Sequence, residues 1–162
     1  MTPFTTMARR AALAACCAVL AATAAHADEQ QLQVPLLPKV QQECTSCHMA
    51  YPPGLLPAAS WQRLMANLPN HFGTDASLDA ASTQEITAWL LKHAGTSKRV
   101  RRDPTPPPQD RISRAEWFMG KHREVGASTW ALPSVKSAAN CAACHTGAEQ
   151  GDFSERNIRI PR

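Results

Sequence analysis

The spacing of apolar positions changes from stretch to stretch along this chain of 162 residues. Ala11 to Ala22 is an unbroken apolar run behind Arg9 and Arg10. Further on, the spacing becomes helical. Trp61, Leu64, Met65 and Leu68 recur at intervals of three and four, which predicts a helix over Ala58–Leu68. Ile86, Trp89 and Leu90 form the stripe of a second helix, Thr83–Ala94, opened by a Ser82/Glu85 capping box and ended by Gly95. Ala115, Phe118 and His122 share a face of a third, opened by Ser113 with Glu116 and running to about Glu124. A short helix over Pro38–Cys47 suits Pro38 in its first turn. No stretch reads convincingly as a strand. The expected fold class is all-α.

Between these elements the chain is punctuated by proline and glycine. Tyr51 to Pro57 holds three prolines and a glycine, too many for regular structure. Pro69-Asn70-His71-Phe72-Gly73 breaks a helix and presents His71 from a turn. Lys98 to Arg111 differs in composition from everything around it. Its basic residues Lys98, Arg99, Arg101 and Arg102 precede Pro104, Pro106, Pro107 and Pro108, which predicts an extended, semi-rigid linker. The basic run reads as a solvated linker before it reads as a docking patch for an acidic partner. The expected organisation is a signal peptide over 1–27, a first module over 28–97, the linker over 98–111 and a second module over 112–162.

The leading apolar run is an export signal. Arg9 and Arg10 make its basic start, and Ala25-His26-Ala27 is a small-x-small site that predicts cleavage after Ala27. A membrane span needs about 20 apolar residues, more than this run supplies. Leu13-Ala14-Ala15-Cys16 resembles a lipoprotein box, but it lies too close to Arg10 to follow a full apolar region. Of the six cysteines, Cys16 and Cys17 leave with the signal, and the other four fall into two identical patterns. The formal net charge of +4 drops by two on cleavage, and nothing points to nucleic acid. A mature chain this short has a limited apolar core of its own.

Those patterns are Cys44-Thr45-Ser46-Cys47-His48 and Cys141-Ala142-Ala143-Cys144-His145. C-x-x-C-H is the attachment signature of haem c. Two intervening residues let both thiols reach the vinyl groups on one side of a porphyrin, and the adjoining histidine can turn beneath the iron as proximal ligand. Structural zinc would use the same residue types, but its motifs usually lack a histidine directly after each C-x-x-C. A thioredoxin-like redox pair does not explain two trailing histidines. Two covalently bound haem c groups are therefore expected, on Cys44, Cys47 and His48 and on Cys141, Cys144 and His145. The Tyr51–Pro57 loop is either a rigid apolar cover for a haem face or an ordinary tight connection.

Three histidines remain for the two sixth positions: His71, His93 and His122. Methionine competes through Met49, Met65 and Met119. Met49 directly follows proximal His48 and cannot reach the opposite face of the same haem. Met65 belongs to an apolar stripe, and Met119 competes with His122 one turn on. His71, on its turn, is the reading for the first haem. His122, sharing a face with Phe118, is the reading for the second. His93 is the rival distal ligand for either, although a histidine beside Lys92 in a last helical turn also suits the carbonyl end of the dipole. Two imidazoles fill the iron's axial positions, keep it low-spin and give a lower potential than histidine with methionine.

At these residues the chain resembles the dihaem cytochrome c family abbreviated DHC. The resemblance is carried by Glu43-Cys44-Thr45-Ser46-Cys47-His48, Tyr51-Pro52-Pro53-Gly54-Leu55-Leu56-Pro57, Ser60-Trp61 and His71-Phe72-Gly73-Thr74-Asp75-Ala76-Ser77-Leu78. The second half adds Trp117-Phe118, His122-Arg123-Glu124 and Asn140-Cys141-Ala142-Ala143-Cys144-His145. It implies a small cytochrome-c-like helical haem module followed by a less regular, haem-wrapping one, with bis-histidine ligation of both haems. It also implies a periplasmic electron carrier, not an enzyme, with protein redox partners and no small-molecule substrate. An SHP-type, oxygen-binding monohaem cytochrome is the implied acceptor, and a membrane cytochrome b the implied donor. Two other readings are a catalytic or gas-sensing haem with one open iron site, and a dihaem subunit of a larger periplasmic reductase.

Overall fold

The computed structural model describes residues 32–162. The expected signal peptide and its cleavage site after Ala27 lie outside the described residues.

Helix α1, Pro38–Cys44, starts on its proline as expected and ends before Cys47. Thr45 caps it, and its hydroxyl donates to the Gln41 carbonyl at 2.6 Å. The rest of the first attachment motif leaves the helix in turns. The following Pro-rich loop is not a surface connection. Pro53–Leu55 forms a single 3-10 turn, and Pro52 through Leu56 are buried. Trp61 Nε1 donates to the Pro53 carbonyl at 2.8 Å, and the amides of Gly95 and Ser97 donate to Leu56 and Gly54.

Helix α2, Ala58–Ala66, stops short of the expected Leu68, because Leu68–Asn70 tightens into a 3-10 turn around Pro69. Helix α3, Ala80–His93, starts earlier than the Ser82/Glu85 box predicts. Its cap is Asp79, which accepts from the Ser82 amide at 2.9 Å and the Ser82 hydroxyl at 2.6 Å. The serine read as the cap instead serves a stronger one three residues upstream. Gly95, at φ +64, carries the chain away from the helix end.

The linker expectation needs the larger correction. Lys98–Arg102 is a helix, α4, not an extended segment. Ser97 Oγ accepts from the Val100 amide at 3.2 Å, and Val100 is buried. A cap and one anchored apolar residue outweigh the repulsion of the basic run. The stretch from 103 to 107 has no regular structure, with extended backbone at Asp103 and Pro107. Two 3-10 turns follow, Pro108–Asp110 and Ile112–Arg114. Helix α5, Glu116–Lys121, is capped by Ala115 and ends before the expected Glu124. Ser113 lies in the preceding turn, so its capping box with Glu116 is not formed. Helix α6, Ala127–Trp130, is a single turn. Beyond it the chain consists of 3-10 turns and isolated bridges, such as His145 with Ile158 and Gly147 with Asp152. The described residues contain no strand, and the fold is all-α.

The principal core belongs to the first half. Val40, Leu56, Trp61, Ile86 and Leu90 form one buried cluster, with Leu64, Met65 and Trp89 packed against it. Met65 is thus core, as its stripe predicts. In the second half Phe118, Val135 and Ala148 are buried at separate points. No helix among the described residues is long and apolar enough to cross a membrane.

Candidate haem sites

Each attachment motif brings its histidine opposite one other imidazole. His48 and His71 have ring centres 6.2 Å apart with planes at 30°. His145 and His122 stand 6.1 Å apart with planes at 71°. Two imidazoles on opposite sides of one metal, with metal–nitrogen bonds of about 2 Å and ring centres about 1 Å further out, are separated by about 6 Å. Both pairs fit that span.

The first pair is built from a helix end and a tight turn. His48 follows α1, and its Nδ1 lies 2.6 Å from the Met49 carbonyl oxygen. A carbonyl only accepts, so Nδ1 carries the proton and Nε2 keeps its lone pair for a metal. His71 opens a turn closed by hydrogen bonds with Thr74, His71 N to Thr74 O at 2.8 Å and Thr74 N to His71 O at 3.1 Å. Its central residues Phe72 and Gly73 both have positive φ, +53 and +94. Glycine accepts this freely, whereas phenylalanine there is a rare strained case. His71 Nδ1 is buried without a hydrogen-bond partner. Burial, then the neighbouring His48 and Arg111, lowers the His71 pKa and favours the neutral imidazole that a metal needs.

The second pair reverses those roles. Here the anchored ring is His122, at the end of α5, whose Nδ1 lies 2.8 Å from the Phe118 carbonyl oxygen. Its ring stacks on Phe118 at 3.9 Å and 20°. His145 Nδ1 is buried and unpartnered. Burial, followed by His122, lowers the His145 pKa, while Asp152 pulls the other way. Behind it the C-terminal segment closes over the motif, with Arg159 N donating to Cys144 O at 2.8 Å and Thr146 N to Asn157 O at 3.1 Å. Gly147 makes this possible, since a Cβ there would sit 2.9 Å from the Asp152 side chain.

Cys44, Cys141 and Cys144 favour the protonated thiol over the thiolate. Burial, with a smaller push from Glu43, raises the Cys44 pKa, and burial carries Cys141 to about 11 and raises Cys144. A dithiol redox pair needs the opposite shift. Among the described residues no three of His, Cys, Asp and Glu gather into a metal cage, so the zinc arrangement open to the same residue types is not built.

His93, the rival ligand, lies in the last turn of α3 with its ring against Trp89 at 5.6 Å. Met119 is exposed. Several neighbours escaped the sequence reading. Tyr51 stacks on His48 at 4.8 Å and donates its hydroxyl to the Ala139 carbonyl at 2.8 Å, just ahead of the second motif. Burial, and less strongly Cys141, pushes the Tyr51 pKa up to about 12. Phe153 faces His145 at 5.4 Å, Trp130 lies 6.0 Å from His122, and Arg111 lies over Phe72. None of these contacts has a local signature in sequence.

The family model described as dihaem cytochrome c matches residues 40–153. Two solved structures of dihaem cytochrome c from Rhodobacter sphaeroides are similar. One is 49% identical with a TM-score of 0.62, covering 74% of this chain and 99% of its own. The other is 48% identical with a TM-score of 0.66, covering 75% and 99%. A dihaem cytochrome c from Shewanella baltica OS155 is 39% identical with a TM-score of 0.67, covering 79% of this chain and 95% of its own. No curated protein sequence matches. Two covalently bound c-type haems follow from these matches.

Proposed function

Since the chain belongs to the dihaem cytochrome c family, we propose that it is an exported, periplasmic electron carrier with two bis-histidine haems. His48 and His71 close the first, and His145 and His122 close the second. Cys44 with Cys47, and Cys141 with Cys144, hold the two porphyrins covalently. The observation that carries this reading is the pairing of each motif histidine with one other imidazole across about 6 Å. Bound haem supplies a one-electron iron couple at modest reorganisation.

The side chains do the rest. His48 and His122 are oriented by backbone carbonyls, so each presents Nε2 in a fixed direction. With haem bound, His71 and His145 would complete each imidazole pair and exclude oxygen or a small-molecule substrate from the iron, which suits a carrier and not an enzyme. The first module, 28–97, and the second, 112–162, are joined through 98–111. Partners are redox proteins. By family resemblance the acceptor is an SHP-type monohaem cytochrome and the donor a membrane cytochrome b. The signal peptide 1–27 directs export and is removed after Ala27.

Mass spectrometry of the exported protein, combined with carbon monoxide addition to its reduced form, tests this reading. Two haem additions on a chain starting at Asp28, with no carbon monoxide binding, are expected. A single haem, or carbon monoxide binding to the native reduced protein, contradicts it.

A further inference from the structure

A charged residue from outside the first module reaches the turn that carries His71. The Arg111 guanidinium carbon lies 4.1 Å from the centre of the Phe72 ring, and that ring lies 4.9 Å from His71. The backbone is strained on both sides of this contact. Phe72 has φ +53, and the residues leading into Arg111, Gln109 and Asp110, have φ +58 and +56. Non-glycine residues hold such angles only where surrounding contacts enforce them. Beside this segment Arg63 on α2 donates to both Asp110 carboxylate oxygens, at 2.9 and 2.6 Å. The nearest carboxylate in sequence is therefore already engaged. Arg111 Nε is buried without a hydrogen-bond partner, and no acidic side chain pairs with Arg111 among the described residues.

The second pair has a neighbour of opposite sign. The aromatic ring facing His145 is Phe153, and beside it stands Asp152, whose carboxylate accepts from the Ser154 amide at 2.9 Å and the Asn157 side chain at 2.6 Å. One histidine pair is thus flanked by a phenylalanine carrying a cation, the other by a phenylalanine next to an anion whose charge Arg156 offsets in part.

We propose that Arg111 raises the reduction potential of the haem between His48 and His71 above that of the haem between His145 and His122, an inference that rests on the ligand pairing proposed above. Adding an electron to an iron is favoured by a nearby positive charge and opposed by a negative one. Partial burial protects that difference from screening by salt. In the half-reduced protein the electron then settles on the first haem, and transfer from the second haem to the first is the downhill direction.

The test is redox titration of the holoprotein against Arg111→Gln, Arg111→Lys and, as a control for losing one surface cation, Arg114→Leu. Wild type is expected to show two transitions, the higher being the one that His71→Ala displaces. Arg111→Gln moves that transition to lower potential and leaves the other in place, Arg111→Lys restores most of the shift, and Arg114→Leu changes neither. The inference is overturned if Arg111→Gln leaves both transitions fixed, if glutamine and lysine shift them equally, or if Arg111→Gln turns a haem high-spin, which would make the residue purely structural. Failure of the ligand reading looks different: wild type itself would then bind carbon monoxide or show a high-spin haem before any Arg111 substitution.

Discussion

The two halves of this protein hold similar imidazole pairs on very different foundations. The first pair stands on a packed cluster, Val40, Leu56, Trp61, Ile86 and Leu90, drawn from helices α1, α2 and α3 and the Pro-rich loop. The second stands on short helices, 3-10 turns and isolated bridges with only scattered buried residues. Under the function proposed above, a porphyrin held at Cys141 and Cys144 would supply the apolar body that this half lacks. A chain too short to bury two apolar cores can build one and borrow the other from its cofactor. The anchoring of the imidazoles is reversed as well. In the first half the motif histidine, His48, is held by a carbonyl, and in the second it is the opposing one, His122.

The largest expected effect of this asymmetry concerns attachment. Replacing Cys141 and Cys144 by alanine leaves residues 112–162 open to limited proteolysis while the first half stays resistant. Replacing Cys44 and Cys47 instead leaves most of the helical circular dichroism in place. Equal sensitivity of both halves would break the comparison. Next come the ligands themselves. His71→Ala and His122→Ala each convert one haem to high spin in optical spectra, and His93→Ala converts none; a spin change in His93→Ala alone would move the assignment to His93.

Packing and the contact between halves give smaller effects. Ile86 is 1% exposed at the centre of the cluster, and Ile86→Ala should cost about 2–5 kcal/mol in denaturant unfolding. A loss well below this range would mean that the cluster does not carry the first half. Tyr51→Phe removes the hydroxyl bond to Ala139 and should cost about 1 kcal/mol. Its pH signature is distinct. The Tyr51 pKa is raised to about 12 in the folded protein, above the ordinary tyrosine value of about 10. The stability linked to it is therefore fully present below pH about 10 and lost as pH rises towards the folded value. Alkaline unfolding that is identical in wild type and Tyr51→Phe would remove Tyr51 from its bridging role.

Much of this was legible in sequence, and for local reasons. The attachment motifs, the turn carrying His71 and the face shared by Phe118 and His122 are all short-range patterns. The misread boundaries arose where two local signals competed. Ser82 looks like a cap until Asp79 is seen to use it, and Ser113 looks like one although its turn closes as 3-10. The basic run at 98–102 hid a helix because only Val100 faces inward. The Tyr51–Ala139 and Arg111–Phe72 contacts could not be read, since these partners are brought near by folding and not by spacing.

Low-temperature electron paramagnetic resonance of the oxidised holoprotein tests whether an iron sits between each of the two imidazole pairs. The angle between axial imidazole planes sets the splitting of the iron orbitals that hold the unpaired electron. Nearly aligned planes split them widely, and nearly crossed planes leave them close in energy. The account predicts two low-spin ferric signals of equal weight: a rhombic one from the pair at 30° and a strongly anisotropic one from the pair at 71°. A high-spin signal, or a near-infrared methionine-to-iron band accompanying either low-spin signal, would contradict it.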